Sequence, residues 1–82
     1  MIYKAIIIDP NGEVLKDRSA DILGELQLWS AINLDGTPNI AIIWDTITKD
    51  IIEIVKATAD FFEWLDPKEL PVAYELIEAL NS

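Results

Sequence analysis

Apolar positions change their period several times along the chain. Residues 2–8, IYKAIII, form a β-branched and aromatic run, which predicts a strand. The following DPNG is a turn, because Pro10 presets its φ while Asn11 and Gly12 tolerate positive φ. EVLK then returns as a short second strand, which makes a hairpin. In SADILG, Ser19 can cap a single helical turn and Gly24 can close it. Beyond it, Leu26, Leu28, Ser30, Ile32 and Leu34 alternate with Glu25, Gln27, Trp29, Ala31 and Asn33. Period two predicts a half-buried strand. A helix over residues 20–32 is the competing reading, because Ile22, Leu26 and Trp29 also fit helical spacing.

The second half opens with DGTPN, another turn, followed by IAIIWD, a long strand segment. Residues 26–34 and 40–45 are then expected to pair antiparallel, with Leu34 opposite Ile40 and Ile32 opposite Ile42. TITKD is a third turn, and IIEIV reads as its return strand, since β-branched side chains lose χ1 freedom in a helix. One helix over residues 49–65 is the alternative. From Thr58 the pattern becomes helical. Thr58 can cap ADFFEWL, and Pro67 cannot continue that helix. ELPVAYELIEAL forms a second helix, with Pro71 near its first turn and Ala73, Leu76, Ile77 and Leu80 as its apolar stripe. The predicted fold is α+β: one domain over residues 1–82, with an antiparallel β-meander of about five strands over 2–56. Two C-terminal helices over 58–80 cover one face of the sheet. The other face then shows Tyr3, Trp29, Ala31 and Ile43 to solvent. Trp44 shares the covered face with Ile40 and Ile42.

Composition narrows the function more than the fold. Eighty-two residues make one domain that buries only about 60–65% of the surface of its unfolded chain. The longest unbroken apolar run is the five residues from Ile40 to Trp44, too short to span a membrane as a helix. The N-terminal apolar stretch meets Asp9 at once and has no small-residue cleavage site, so a cytoplasmic protein is expected. The chain has no cysteine, which removes disulfides and thiolate chemistry, and no histidine, which removes the usual general base and metal ligand. Six basic residues face fifteen acidic ones, a net charge of −9. Phosphate backbones and anionic membranes repel such a chain, so neither direct nucleic-acid binding nor membrane binding is expected. A partner chosen by electrostatics is basic. Charge that merely keeps a small protein soluble is the competing explanation.

The chemical motifs fail on spacing. A calcium loop of the EF-hand kind needs Gly at its sixth position and Glu at its twelfth. Counted from Asp9, Gly12 is fourth and Ala20 twelfth; counted from Asp35, Ile40 is sixth. Three glycines build neither a P-loop nor a dinucleotide fingerprint, and Ser19, Ser30 and Ser82 have no histidine to activate them. Paired carboxylates could run glycoside chemistry, but no pair stands out among fifteen acids. No enzyme activity, cofactor or metal is expected.

What remains is a surface. Residues 57–82 carry six acids and one lysine, and those acids recur at a spacing of three: Asp60, Glu63, Asp66, Glu69, then Glu75 and Glu78. On helices this spacing sets carboxylates on nearly one side, opposite the apolar stripe. Phe61, Phe62 and Leu65 would fill the core, and Trp64, at the edge beside Asp60, would either cap the core or stand at the rim. Trp29 shares its predicted strand face with Glu25, Gln27 and Asn33. A rim tryptophan among carboxylates suits a basic, partly apolar partner. The expected function is therefore a small non-enzymatic binding protein that inhibits or occludes a basic protein, such as a nucleic-acid-processing enzyme. Asp60, Glu63, Asp66, Glu69, Glu75 and Glu78 would stand in for phosphates, and Trp64 and Trp29 would anchor. Antitoxins, immunity proteins and phage-borne anti-defence inhibitors share this size and charge, an analogy of class alone. The alternative is a homodimeric accessory subunit that assembles through the open sheet face.

Overall fold

The computed structural model describes residues 2–81. Five strands form one antiparallel sheet: β1 (Tyr3–Ile8), β2 (Val14–Ala20), β3 (Ile40–Asp45), β4 (Ile51–Ala57) and β5 (Phe62–Leu65). Their order across the sheet is β2-β1-β3-β4-β5. The helix α1 (Leu23–Leu34) links β2 to β3, and a 3-10 turn (Pro67–Glu69) leads into α2 (Val72–Leu80) at the C-terminal end. The fold is thus α+β, with a five-stranded antiparallel sheet followed by two short C-terminal helical elements. Because β2 and β3 both run antiparallel to β1, they are parallel to each other, and α1 carries the chain over β1 between them.

The isoleucine-rich segments explain the centre of the sheet. In β1 and β3 every residue from Ala5 to Ile8 and from Ala41 to Trp44 is buried, so successive side chains must be covered on both faces. Ile6, Ile8, Ile42, Trp44 and Ile54 form one layer with Ala73 and Ile77 of α2. On the other face, Ala5, Ala20 and Ile43 meet Leu26, while Ile7, Ala41 and Val55 meet Leu34. One helix therefore covers each face. A register shift opposite Ile43 and Trp44 lets Ile51 and Ile54, three residues apart, pack into the same layer under α2.

Two predicted elements are exchanged. Residues 26–34 form a helix instead of the expected strand, so their pairing with β3 does not occur; β1 and β4 flank β3. The reason lies in the arithmetic of the pattern. Leu26, Ser30 and Leu34 are spaced by four, so an alternating stripe contains a helical stripe. Leu28 and Ile32 complete the alternation, but they sit on the outer side of α1 at 64% and 68% exposure. Most of the segment also consists of strong helix formers, Glu, Leu, Gln and Ala. Ser19 accordingly lies in β2, not at a helix cap, and Gly24 lies inside α1.

The opposite exchange occurs at residues 60–65. The predicted first C-terminal helix is instead a tight return into β5. Thr58 does not cap a helix. Its backbone N–H and its hydroxyl both donate to the Phe61 carbonyl at 2.6 Å, which closes the turn. A helix of about two turns fixes many dihedrals for few hydrogen bonds, whereas the edge of β4 offers partners at once. Aromatic residues also favour the pleated surface over a helix. The division into a sheet over 2–56 and helices over 58–80 is corrected accordingly. The return strand expected at IIEIV is observed as β4, and α2 buries the expected Ala73 and Ile77.

Two acid-headed turns and one glycine-ended helix hold the loops. Asp9 Oδ1 accepts from the N–H groups of Asn11 and Glu13 at 2.8 and 2.9 Å. Asp45 Oδ1 accepts from Ile47 and Thr48 at 2.8 and 3.1 Å. After α1, Gly36 takes a φ of 72°, the left-handed position that ends a helix, and Thr37 N–H donates to the Leu34 carbonyl. Among the described residues, no helix is long and apolar enough to cross a membrane.

Candidate functional site

The sheet is wider than the helix that covers it. α1 lies over β1, β2 and β3 and reaches only the near side of β4, so β5 and the outer part of β4 are left open on that face. Strand alternation places Glu53, Val55 and Ala57 of β4, and Phe62 and Trp64 of β5, on this side; Val55 lies opposite Trp64 and Ala57 opposite Phe62. Gln27 and Ala31 stand one turn apart on the flank of α1 that faces them. These residues enclose a groove of about 260 Å³, lined by Gln27, Ala31, Glu53, Val55, Phe62 and Trp64.

The floor of the groove is apolar and its one charged member is oriented. Trp64 is 63% exposed, and its indole Nε1–H donates to Glu53 Oε2 at 2.9 Å. That bond holds the ring against the strand and keeps a carboxylate beside its edge. Glu53 has no ion-pair partner among the described residues, where the one salt bridge is Lys56 to Glu63 at 3.7 Å. Exposed apolar side chains continue the surface: Phe61 at 70%, with Leu28 and Ile32 on the outer side of α1. A shallower hollow bounded by Ala31, Ile32, Asp35 and Phe62 joins the groove to the end of α1. Asp35 and Asp60 stand beside it, so an aromatic floor is ringed by carboxylates.

The predicted site residues do not form one surface. In place of a helical ladder, Asp60 lies in the turn before β5 and Glu63 on the sheet face opposite Trp64, paired with Lys56. Asp66 and Glu69 bond to each other's backbone around the 3-10 turn. Asp66 Oδ1 accepts from Lys68 N–H at 2.9 Å, and Glu69 Oε2 accepts from Asp66 N–H at 2.8 Å. Their spacing of three is that of a capping box. Glu75 and Glu78 are exposed on α2, as expected, on the far side of the sheet from the groove.

The tryptophans separate just as clearly. Trp29 is not on an exposed strand face with Glu25, Gln27 and Asn33 but half-buried on α1, packed against both clusters beneath that helix. It shares its flank with Asn33, whose side chain accepts from Lys16 Nζ of β2 at 2.8 Å and donates to the Trp29 carbonyl. Trp44 is fully buried as predicted, its indole N–H donating to Asn81 Oδ1 at 3.3 Å. The expected burial of Phe61 is reversed, while Phe62 is half-buried at the edge of the cluster around Leu34. Tyr3 and Ile43 do not form an open sheet face, because α1 lies over them and Ile43 has no exposed surface.

Sequence reasoning missed Glu53 and did not place Gln27 or Ala31 against β5. Glu53 did leave a signal: it is the one acid inside the apolar run IIEIV, and an acid there needs either an edge or a partner. Gln27 and Ala31 gave none, since their role depends on which flank of α1 faces β5. Compared with family models, with curated proteins and with solved structures, the chain matches none.

Proposed function

We propose that this chain is a small non-enzymatic binding protein that occludes a basic, partly apolar surface on another protein, in the cytoplasm. The observation that carries the reading is Trp64: a large ring left mostly in solvent, over an apolar groove, with its own carboxylate bonded to it. Exposed aromatic anchors next to a pocket dominate binding energy in protein interfaces. Glu53, Asp35 and Asp60 supply the charge that selects a lysine or arginine beside the apolar contact. The net charge of −9 acts at longer range, drawing a basic partner in and setting the association rate. Glu75 and Glu78 contribute to that field and lie outside the contact, and inhibition follows if the covered surface is the partner's nucleic-acid site.

The test begins with co-purification from the cell of origin and identification of partners by mass spectrometry. A purified candidate is then measured for association and dissociation at several salt concentrations. The reading expects a basic partner whose association slows as the screening length falls from about 10 Å at 0.1 M salt to about 3 Å at 1 M. Trp64→Ala should weaken binding by about 2 kcal/mol, mainly through faster dissociation. Its melting curve should stay close to that of the parent, since the ring is largely exposed. A partner whose binding ignores both salt and Trp64 rules the reading out.

A further inference from the structure

The open side of β5 has a chemistry of its own. Thr58 donates to the Phe61 carbonyl, so residues 58 and 61 form a hydrogen-bonded pair. Antiparallel pairing alternates, so Lys56 with Glu63 and Ile54 with Leu65 are bonded pairs as well. Phe62 and Trp64 fall between them. Their N–H and C=O groups therefore point away from β4, along the free edge of the sheet. The same two residues carry the aromatic side chains of the groove, while Glu63 between them projects to the opposite face.

Resting on the binding reading above, we infer that the partner contributes an extended segment that adds to β5 as a sixth strand, with the pattern apolar–basic–apolar. Two residues of that segment pair with the backbones of Phe62 and Trp64, and their side chains fall on the groove face against the two rings. The residue between them is carried to the other face beside Glu63. Glu63 is shared with only Lys56, and Asp60 and Asp66 close the two ends of the strand, so a lysine or arginine fits there. The other edge of the sheet, β2, carries Lys16, Asp17 and Arg18 and has no aromatic groove; a charged edge of that kind resists addition. A second copy of this chain is a poor occupant. Antiparallel pairing of β5 with itself in the register that sets Phe62 opposite Trp64 places Glu63 opposite Glu63, and like charges directly opposed are destabilising. Main-chain hydrogen bonds supply affinity in strand addition and alternate side chains supply specificity, which is the division of labour this edge offers.

The probe is a capped eight-residue peptide of alternating valine and lysine, titrated into isotopically labelled full-length protein and followed by NMR. Shifts should concentrate on residues 60–66 and Glu53, and the amides of Phe62 and Trp64 should become protected from hydrogen exchange. Two methylated versions fix the geometry. N-methylation of the valines removes the donors that face β5 and should weaken binding by about tenfold or more, as expected for losing more than one hydrogen bond. N-methylation of the lysines, whose N–H groups face solvent, should leave affinity nearly unchanged. Equal responses to the two methylations overturn strand addition. If the peptide fails to bind at millimolar concentration while a basic partner still binds through Trp64, the inference fails and the binding reading stands. If neither binds, both fail. Protection of Phe62 and Trp64 that grows with protein concentration, without peptide, assigns the edge to self-pairing and also overturns the inference.

Discussion

Among the described residues, Ser30 is the one buried polar side chain that the fold leaves unsatisfied. It lies in the middle of α1 between Leu26 and Leu34, 1% exposed, and among the described residues its Oγ has no hydrogen-bond partner. Replacing it with alanine removes an oxygen whose burial without a partner costs about 1–3 kcal/mol. Alanine also favours the helix over serine by a few tenths of a kcal/mol. Against this stands the lost dispersion of a single atom in a tight layer, again a few tenths of a kcal/mol. Ser30→Ala should therefore stabilise the protein by about 1–2 kcal/mol, which for a chain of this length raises the melting temperature by roughly 5–10 °C. Urea unfolding followed by tryptophan fluorescence, with the denaturant slope compared between the two proteins, measures it. A loss of stability at unchanged slope would mean that the hydroxyl is bonded in solution, and the assignment of Ser30 as an unsatisfied group would be wrong.

The two glycines that bracket α1 should respond in opposite directions. Gly24 lies within the helix, where an added Cβ meets nothing within 4 Å, so Gly24→Ala should gain about 0.5–1 kcal/mol in thermal or urea melts. Gly36 has φ 72°, so Gly36→Ala should lose about 1–2 kcal/mol despite the open space around it. Ile77 is 3% exposed and joins α2 to the sheet, and Ile77→Ala should cost about 2–4 kcal/mol, with hydrogen exchange rising first in residues 72–80. Glu75→Lys together with Glu78→Lys should leave the melting curve within about 0.5 kcal/mol of the parent, because both side chains are exposed and oppose the buried stripe of α2.

Much of the sheet is local information. The isoleucine runs of β1 and β3 are too β-branched and too apolar to sit anywhere but in buried strands, and Asp9, Asp35–Gly36 and Asp45 mark turns by their own side-chain and backbone chemistry. The stripe of α2 is legible for the same reason, since Pro71 starts it and Ala73 and Ile77 repeat at helical spacing. The segments at 26–34 and 60–65 are different. The first satisfies periods of two and of four at once, and the second is too short to choose a period at all. Only the tertiary structure decides between them. The apolar odd-numbered face of β1 and β3 needs a cover, which α1 supplies by burying Leu26 and Leu34; the free edge of β4 needs hydrogen bonds, which β5 supplies. The acids follow the same division. Their number and sign are fixed by the chain, and with them the net charge of −9. Whether an acid caps a turn, as Asp66 and Glu69 do, pairs across strands, as Glu63 does, or orients an exposed indole, as Glu53 does, depends on residues up to eleven positions away. Sequence spacing reports only which side of its own element a residue occupies, and the groove depends on which side of another element it meets.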